Sequence, residues 1–198
     1  MKEFWDSRYA EKEFAYGELP NSYFKQELEK LTPGKLLLPA EGEGRNAVFA
    51  AKLGWDVQAV DLSEKGKEKT LRLAAKNNVS IKYHVSNLLD YQYIKNGYDA
   101  VVLIFAHFPS EMRNIIHKKL IYSLKSGGII LMEVFSKKQI TRESGGPKSI
   151  ELLYDINELL LDFEDFEILE ATETQTELDE GTFHRGIAEV IRIKAQKK

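Results

Sequence analysis

The chain has 198 residues, 43% of them apolar and 30% charged, with a formal net charge of −3 and no cysteine. That length suits one α/β domain built on a single core. The missing cysteine excludes disulfides, thiolate metal sites and cysteine nucleophiles. No apolar run reaches the roughly 18 residues of a membrane span, and the opening MKEFWDSRYAEKEF is too charged for a secretory signal. A cytoplasmic protein without a membrane partner is therefore expected.

Seven of the 21 aromatic residues lie within the first 24 positions: Phe4, Trp5, Tyr9, Phe14, Tyr16, Tyr23 and Phe24. Residues 1–30 are read as an aromatic cap. Leu36-Leu37-Leu38-Pro39 is an apolar run suited to a buried parallel strand. Gly44 to Leu53 is a predicted helix with Ala47, Val48, Ala50 and Ala51 inward and Gly54 as its stop. Val57 to Val60 is a second strand. Ser63 caps a helix through Asn77, with Glu68 and Arg72 as an i,i+4 pair. Ile81–Val85 and the almost wholly apolar Tyr98–Phe105 follow as strands. Pro109-Ser110-Glu111 opens a helix whose buried stripe is Met112, Ile116, Leu120 and Leu124. Lys125-Ser126-Gly127-Gly128 ends it, and Ile129–Phe135 is the fifth strand.

Residues 136–150, polar and containing Gly145-Gly146-Pro147, read as a mobile loop and a candidate lid. A helix near Ile156–Phe163 precedes two late strands, about Phe166–Thr174 and Thr182–Lys194, close enough to form a hairpin. Residues 151–180 hold twelve acids and no Lys or Arg. Such a run coats a solvated helix face and a strand edge. It also repels a phosphate backbone, so a small-molecule partner is expected rather than a nucleic acid. Alternating βαβ units imply a doubly wound α/β sheet, mostly parallel, whose ligands bind beyond the carboxyl ends of the strands.

The chemistry concentrates at Glu41-Gly42-Glu43-Gly44-Arg45-Asn46-Ala47. A strand runs into a glycine turn and a helix, and Asp61 ends the next strand 19 positions after Gly42. Glycines allow a tight turn and close approach, the helix start offers unpaired N–H groups, and a carboxylate at Asp61 can accept both hydroxyls of a ribose. Gly42-x-Gly44-x-x-Ala47 also satisfies the dinucleotide fingerprint. On the motif alone, any adenosine-bearing ligand remains open. Two features favour S-adenosylmethionine (SAM) over NAD: few residues remain after the fifth strand for a second substrate region, and the chain closes in a hairpin. No His/Asp/Glu cluster has metal-ligand spacing, so no metal is expected.

The order of segments resembles class I SAM-dependent methyltransferases, a Rossmann-like, seven-stranded sheet with an antiparallel last strand. The likeness is to the small-molecule branch that includes the tellurite-resistance methyltransferase TehB and thiopurine S-methyltransferase. Four passages carry it: Phe4-Trp5-Asp6-x-Arg8-Tyr9 with Tyr16-Gly17 and Pro20-Asn21; the GEGRNA turn; Ile104-Phe105-Ala106-His107-Phe108; and Leu124 to Gly128. Gly145-Gly146-Pro147 fits the same group.

This resemblance implies methyl transfer from SAM to a small acceptor such as a thiol or chalcogen oxyanion. It implies that Ala40, Glu41, Gly42 and Gly44 approach the methionine moiety, Asp61 holds the ribose, Leu62 flanks the adenine, Asn87 lies near its amino group, and Phe105 and Ala106 lie beside the cofactor. Leu38 stands where many members carry an acid, and Ala40 where they carry the first glycine. His107, Arg45, His184 and Arg185 are candidate catalytic or acceptor-binding residues, whereas His84 and His117 read as surface positions without a role. A SAM-binding protein without turnover and an NAD-dependent oxidoreductase are the rival readings.

Overall fold

The computed structural model describes residues 1–198. Its thirteen regular elements are α1 (Lys2–Ala10), α2 (Ser22–Leu28), β1 (Lys35–Pro39), α3 (Arg45–Lys52), β2 (Asp56–Asp61), α4 (Glu64–Lys76), β3 (Lys82–Val85), β4 (Tyr98–Ile104), α5 (Ser110–Ser123), β5 (Leu124–Phe135), α6 (Ile156–Leu161), β6 (Phe166–Glu180) and β7 (His184–Lys197). The strands form one seven-stranded sheet in the order β3-β2-β1-β4-β5-β7-β6. This is the doubly wound, mostly parallel arrangement with an antiparallel end that the segment order predicts. The chain divides into two compact units, residues 1–91 with 180–183, and residues 92–179 with 184–198.

In the first unit, β1 pairs in parallel with β2, Leu36 opposite Val57 and Leu38 opposite Ala59, and β2 pairs in parallel with β3. Leu36, Leu37 and Leu38 are all buried, because a parallel strand covered on both faces needs apolar residues in unbroken succession. Leu38, which stands at a commonly acidic position of the resembled family, is thus a core residue. Helix α4 starts where expected: the Ser63 hydroxyl accepts the Gly66 N–H at 3.0 Å. Glu68, however, pairs with Lys65 rather than Arg72, and Arg72 lies over the Phe14 ring.

In the second unit, β4 and β5 are parallel and β5 and β7 antiparallel. Strand β5 begins at Leu124, five residues earlier than its apolar run suggests. Tyr98 pairs with Leu124 and Ala100 with Ile129, so Lys125 to Gly128 bulge out within the strand. Gly127 supplies the positive φ of 75° that the bulge requires. The late hairpin is longer than its apolar pattern shows, with strands of 15 and 14 residues.

Two sequence readings change in this unit. His117 is 1% exposed, not a surface residue, and its Nδ1 lies 2.7 Å from Asp162 Oδ2. The start of segment 136–150 is also not free chain. Lys137–Thr141 is a 3-10 turn, and buried Gln139 gives its amide hydrogens to Ser144 Oγ and the Gly145 carbonyl while its oxygen accepts the Glu189 N–H. Ser144 in turn donates to the Ile187 carbonyl. These bonds tie residues 136–145 to β7 and leave 146–149 as the part without such ties. No helix is long and apolar enough to cross a membrane.

Candidate functional site

The glycine turn lies between β1 and α3, in the first unit. Gly42 (φ 66°) and Gly44 (φ 86°) both need the left-handed region. The missing side chains also make room for neighbours. A Cβ on Gly42 would sit 2.7 Å from the Tyr9 hydroxyl, and one on Gly44 would sit 2.4 Å from Thr70 Cγ2. Gly66, on α4, was not singled out in the sequence, yet a Cβ there would meet the Gly42 carbonyl at 2.6 Å. That carbonyl accepts the Tyr83 hydroxyl at 2.7 Å and the Thr70 hydroxyl at 3.3 Å. The glycines thus serve close packing of α1 and α4 against the turn as well as its curvature.

Asp61, at the end of β2, is 7% exposed. Its Oδ2 accepts the Gly42 N–H at 2.9 Å and its Oδ1 the Ser63 N–H at 2.9 Å. Burial pushes its carboxyl up, to about 6, against the opposing pull of these N–H groups. Leu62, next in the chain, is partly exposed. Asn87 begins the turn after β3, its Oδ1 accepting the Leu89 N–H at 3.0 Å.

The acids of the turn have different tasks. Glu41 folds back on the start of α3, accepting the Ala47 N–H at 2.7 Å and that of Asn46. It therefore caps the first-turn donors that the sequence leaves open. Burial pushes this carboxyl up, to about 8, with the Asp61 charge adding to the rise and Arg45 opposing it. Glu43 is buried in an ion pair with Lys69 at 2.6 Å. Its other oxygen accepts the Ala15 N–H at 2.8 Å, and Lys69 also donates to the Glu13 carbonyl at 2.6 Å.

Arg45 and Asn46 complete this attachment of the aromatic cap. Arg45 pairs with Glu180 at 2.8 Å and not with Glu41, while Asn46 Oδ1 accepts the Asn21 N–H at 2.9 Å. Asn21 Nδ2 donates to Glu180 as well. On α1, Asp6 accepts the Ser63 hydroxyl at 2.6 Å, which with Lys2 holds its carboxyl down at about 2. Trp5 stacks on Tyr9 with centroids 5.4 Å apart. Neither the sequence partners nor the spacing reveals these bonds, since most join positions 25 or more residues apart.

The remaining candidates lie in the second unit. Phe105, directly after β4, has φ 51°, uncommon for a bulky residue. It stacks on Phe135 at 4.4 Å and meets His184 edge-on at 4.7 Å. Ala106 is buried, and its carbonyl accepts the Tyr154 hydroxyl at 2.9 Å. Both ring nitrogens of His107 are in use: Nδ1 lies 2.7 Å from the Leu152 carbonyl, and Nε2 accepts the Phe135 N–H at 3.4 Å. Burial lowers this imidazole to about 4, so it stays neutral with no nitrogen open to a substrate. His184 is buried against the two phenylalanine rings. Arg185 is highly exposed, 3.6 Å from Asp179. No group of three or more His, Asp or Glu is placed to hold a metal ion.

A strand, a glycine turn, a helix, an acid closing the next strand, and a sheet ending antiparallel define the class I methyltransferase fold. Residues 39–128 match the methyltransferase domain family. Many solved structures share the fold. One comes from work on the conversion of a disulfide bond into a thioacetal group during echinomycin biosynthesis; it is 18% identical, with a TM-score of 0.83 over all of this chain and 92% of its own. TehB from Haemophilus influenzae is 22% identical, with a TM-score of 0.74 over all of this chain and 67% of its own. A SAM-dependent methyltransferase from Methanosarcina mazei is 17% identical, with a TM-score of 0.70 over 90% and 98%. No curated protein sequence gives a significant match.

Proposed function

We propose that the chain transfers a methyl group from SAM to a small acceptor. The observation that carries this reading is the position of Glu41. In a dinucleotide-binding turn the first N–H groups of the helix receive a diphosphate. Here a carboxyl group already takes the Asn46 and Ala47 donors. A diphosphate would have to displace an acid from its own bonds, whereas SAM brings a sulfonium and an ammonium towards acidic groups. The Asp61 carboxyl accepts the N–H groups of Gly42, Ser63 and Leu62, and of its four lone-pair positions one is left for a ribose hydroxyl. Ala40, Gly42 and Gly44 form the backbone of that surface, and Leu62 and Asn87 flank it. Phe105 and Ala106 belong to the proposal through the resemblance.

SAM supplies a methyl already activated on sulfur. The protein's task is then to hold acceptor and cofactor in line and exclude water, which can contribute up to roughly 7–11 kcal/mol. A soft acceptor such as a thiol or chalcogen oxyanion needs no strong general base. That suits a neutral, fully bonded His107, whose position is structural. The sulfur chemistry named for the echinomycin structure and the presence of TehB among the neighbours support the same acceptor class.

Titration calorimetry with SAM and S-adenosylhomocysteine tests the cofactor reading. Micromolar binding is expected, with none for NADH; no heat from either adenosyl ligand at millimolar concentration would sink it. Asp61→Asn keeps one acceptor oxygen but loses the charge, and should weaken SAM about tenfold or more, since a hydrogen bond to a charged group contributes roughly 1.5–3 kcal/mol. Unchanged affinity would remove Asp61 from the ribose site. A second reading, SAM binding without turnover, draws on the occupied ring of His107. Methylation of any member of a thiol and selenite panel decides against it.

A further inference from the structure

Arg45 opens α3 directly after Gly44, and two carboxyls compete for its charge. One is Glu41, on the same turn, whose carboxyl it pulls down. The other is Glu180, at the end of β6, and the guanidinium goes there. Nη2 meets Oε2 at 2.8 Å, with the two side chains 9% and 10% exposed. The second oxygen of Glu180 accepts Nδ2 of Asn21 at 3.1 Å, and Nη1 of Arg45 reaches the Leu19 carbonyl at 3.5 Å. Glu180 is itself held in place. Gly181 follows it with φ 71°, and a Cβ there would lie 2.6 Å from both the Ala15 carbonyl oxygen and the Gly17 nitrogen. Asn21 is fixed as well, giving its N–H to Asn46 Oδ1 at 2.9 Å and accepting the Phe24 N–H at 2.8 Å. The ion pair thus commits Arg45 to a rigid partner outside the turn.

This commitment sets the charge balance of the turn. Lys69 is taken by Glu43. With Arg45 taken by Glu180, neither Glu41 nor Asp61 is paired with a lysine or an arginine, and both accept backbone N–H groups instead. Burial raises both carboxyls, and a positive charge brought near draws them into the ionised form. Such a turn binds a cationic ligand more tightly than a neutral one of the same shape, because the interaction of charges in a buried site is weakly screened.

We propose that Glu180 is a positioning residue of the adenosyl site: by holding Arg45 outside the glycine turn, it keeps Glu41 and Asp61 available to a positive ligand and so favours the sulfonium of SAM over the neutral sulfur of S-adenosylhomocysteine. The assignment rests on the methyltransferase reading. Methyl transfer converts the sulfonium into a neutral thioether. The attraction of the turn is therefore lost when the reaction is over, and release of the product is eased.

The test compares the wild type with Glu180→Gln and with the double variant Arg45→Met, Glu180→Gln. The single replacement keeps the shape and an oxygen for Asn21 but leaves Arg45 without its counter-charge, so that it turns to Glu41. Calorimetry with SAM and S-adenosylhomocysteine should show SAM weakened about fivefold or more relative to S-adenosylhomocysteine. A purely structural role weakens both alike, and that result, or an unchanged ratio, overturns the proposal. The double variant leaves no buried charge behind and should keep the wild-type ratio even if the single variant does not fold. A SAM preference that rises in the double variant would show Arg45 already acting on the turn, and also overturns the proposal. Urea unfolding gives a reading that needs no ligand. Glu41 has Arg45 and Asp61 as its charged neighbours, and its raised carboxyl makes wild-type stability fall from pH 5 to 8. Arg45 turned to Glu41 stabilises the ionised acid, so this fall flattens in Glu180→Gln; an undiminished fall overturns the proposal. A wild type that binds neither adenosyl ligand removes the methyltransferase reading instead, and the urea series then still decides whether Glu180 keeps Arg45 from Glu41.

Discussion

Ala40 occupies the left-handed region with φ 55°, where an L-residue costs roughly 1–2 kcal/mol. Its N–H is held by the Val60 carbonyl at 2.7 Å, so the surrounding turn enforces the strain. Ala40→Gly relieves it but gains unfolded-state entropy, and a net stabilisation of about 0.5–1 kcal/mol is expected in urea unfolding; a lower midpoint would show the angle to be unstrained. Glu41 governs a pH effect. Its carboxyl is raised from an ordinary 4.5 to about 8, so between those values the native state binds more protons than the unfolded chain. Stability must then fall as pH rises through that window. Asp61, raised to about 6, steepens the lower part. Urea midpoints from pH 5 to 8 should decline in wild type and flatten in Glu41→Gln; equal slopes would place the proton elsewhere. The place of Asp61 was legible in the sequence because the apolar run Val57 to Val60 ends there, at the close of β2. Glu43, Arg45 and Asn46 were not, because their partners lie as much as 135 residues away. His117 was misread because α5 buries a second face: its ring is packed by Tyr154 and Phe163, beyond the apolar stripe of Ile116 and Leu120.

At the scale of elements, the buried pair Glu43–Lys69 joins α4, the glycine turn and the strap of residues 13–16. Removing one member of a buried pair leaves the other charge without compensation and costs roughly 3–5 kcal/mol. Glu43→Gln or Lys69→Met should each show a loss of that order in urea unfolding, and the double replacement less than the sum. Simple additivity would mean that the two groups do not depend on one another. Helices and parallel strands were readable because their burial imposes regular apolar spacing: Leu36–Leu38 and Ala47–Ala50 declare themselves. Strand β6 was cut short in the sequence reading because TQTELDE offers no apolar alternation; its mostly exposed side chains leave pairing, not patterning, to set its length. The segment after β5 looked mobile for its glycines, yet one amide, Gln139, bonds in three directions and ties it down.

For the whole molecule, the doubly wound, mostly parallel sheet was legible from the alternating βα units and the closing hairpin, whereas the strand order was not, because strand pairing rather than apolar patterning sets it. The twelve acids of residues 151–180 lie mainly on the partly exposed α6 and β6, and such a surface cannot release counterions from a polyphosphate. Fluorescence anisotropy with labelled duplex DNA or single-stranded RNA at low salt should therefore show no saturable binding, and a salt-sensitive isotherm would contradict this. The bonds between Asn21 and Glu180, Arg45 and Glu180, and Ala15 and Phe183 also bear on how the chain is made. The ribosome delivers Asn21 of the cap 159 positions before Glu180, which fastens it. Contacts of such sequence separation form slowly because a long loop must close before they are gained. During synthesis the aromatic segment must wait, unlatched, until Glu180 and Phe183 emerge, so its attachment to the glycine turn is completed late.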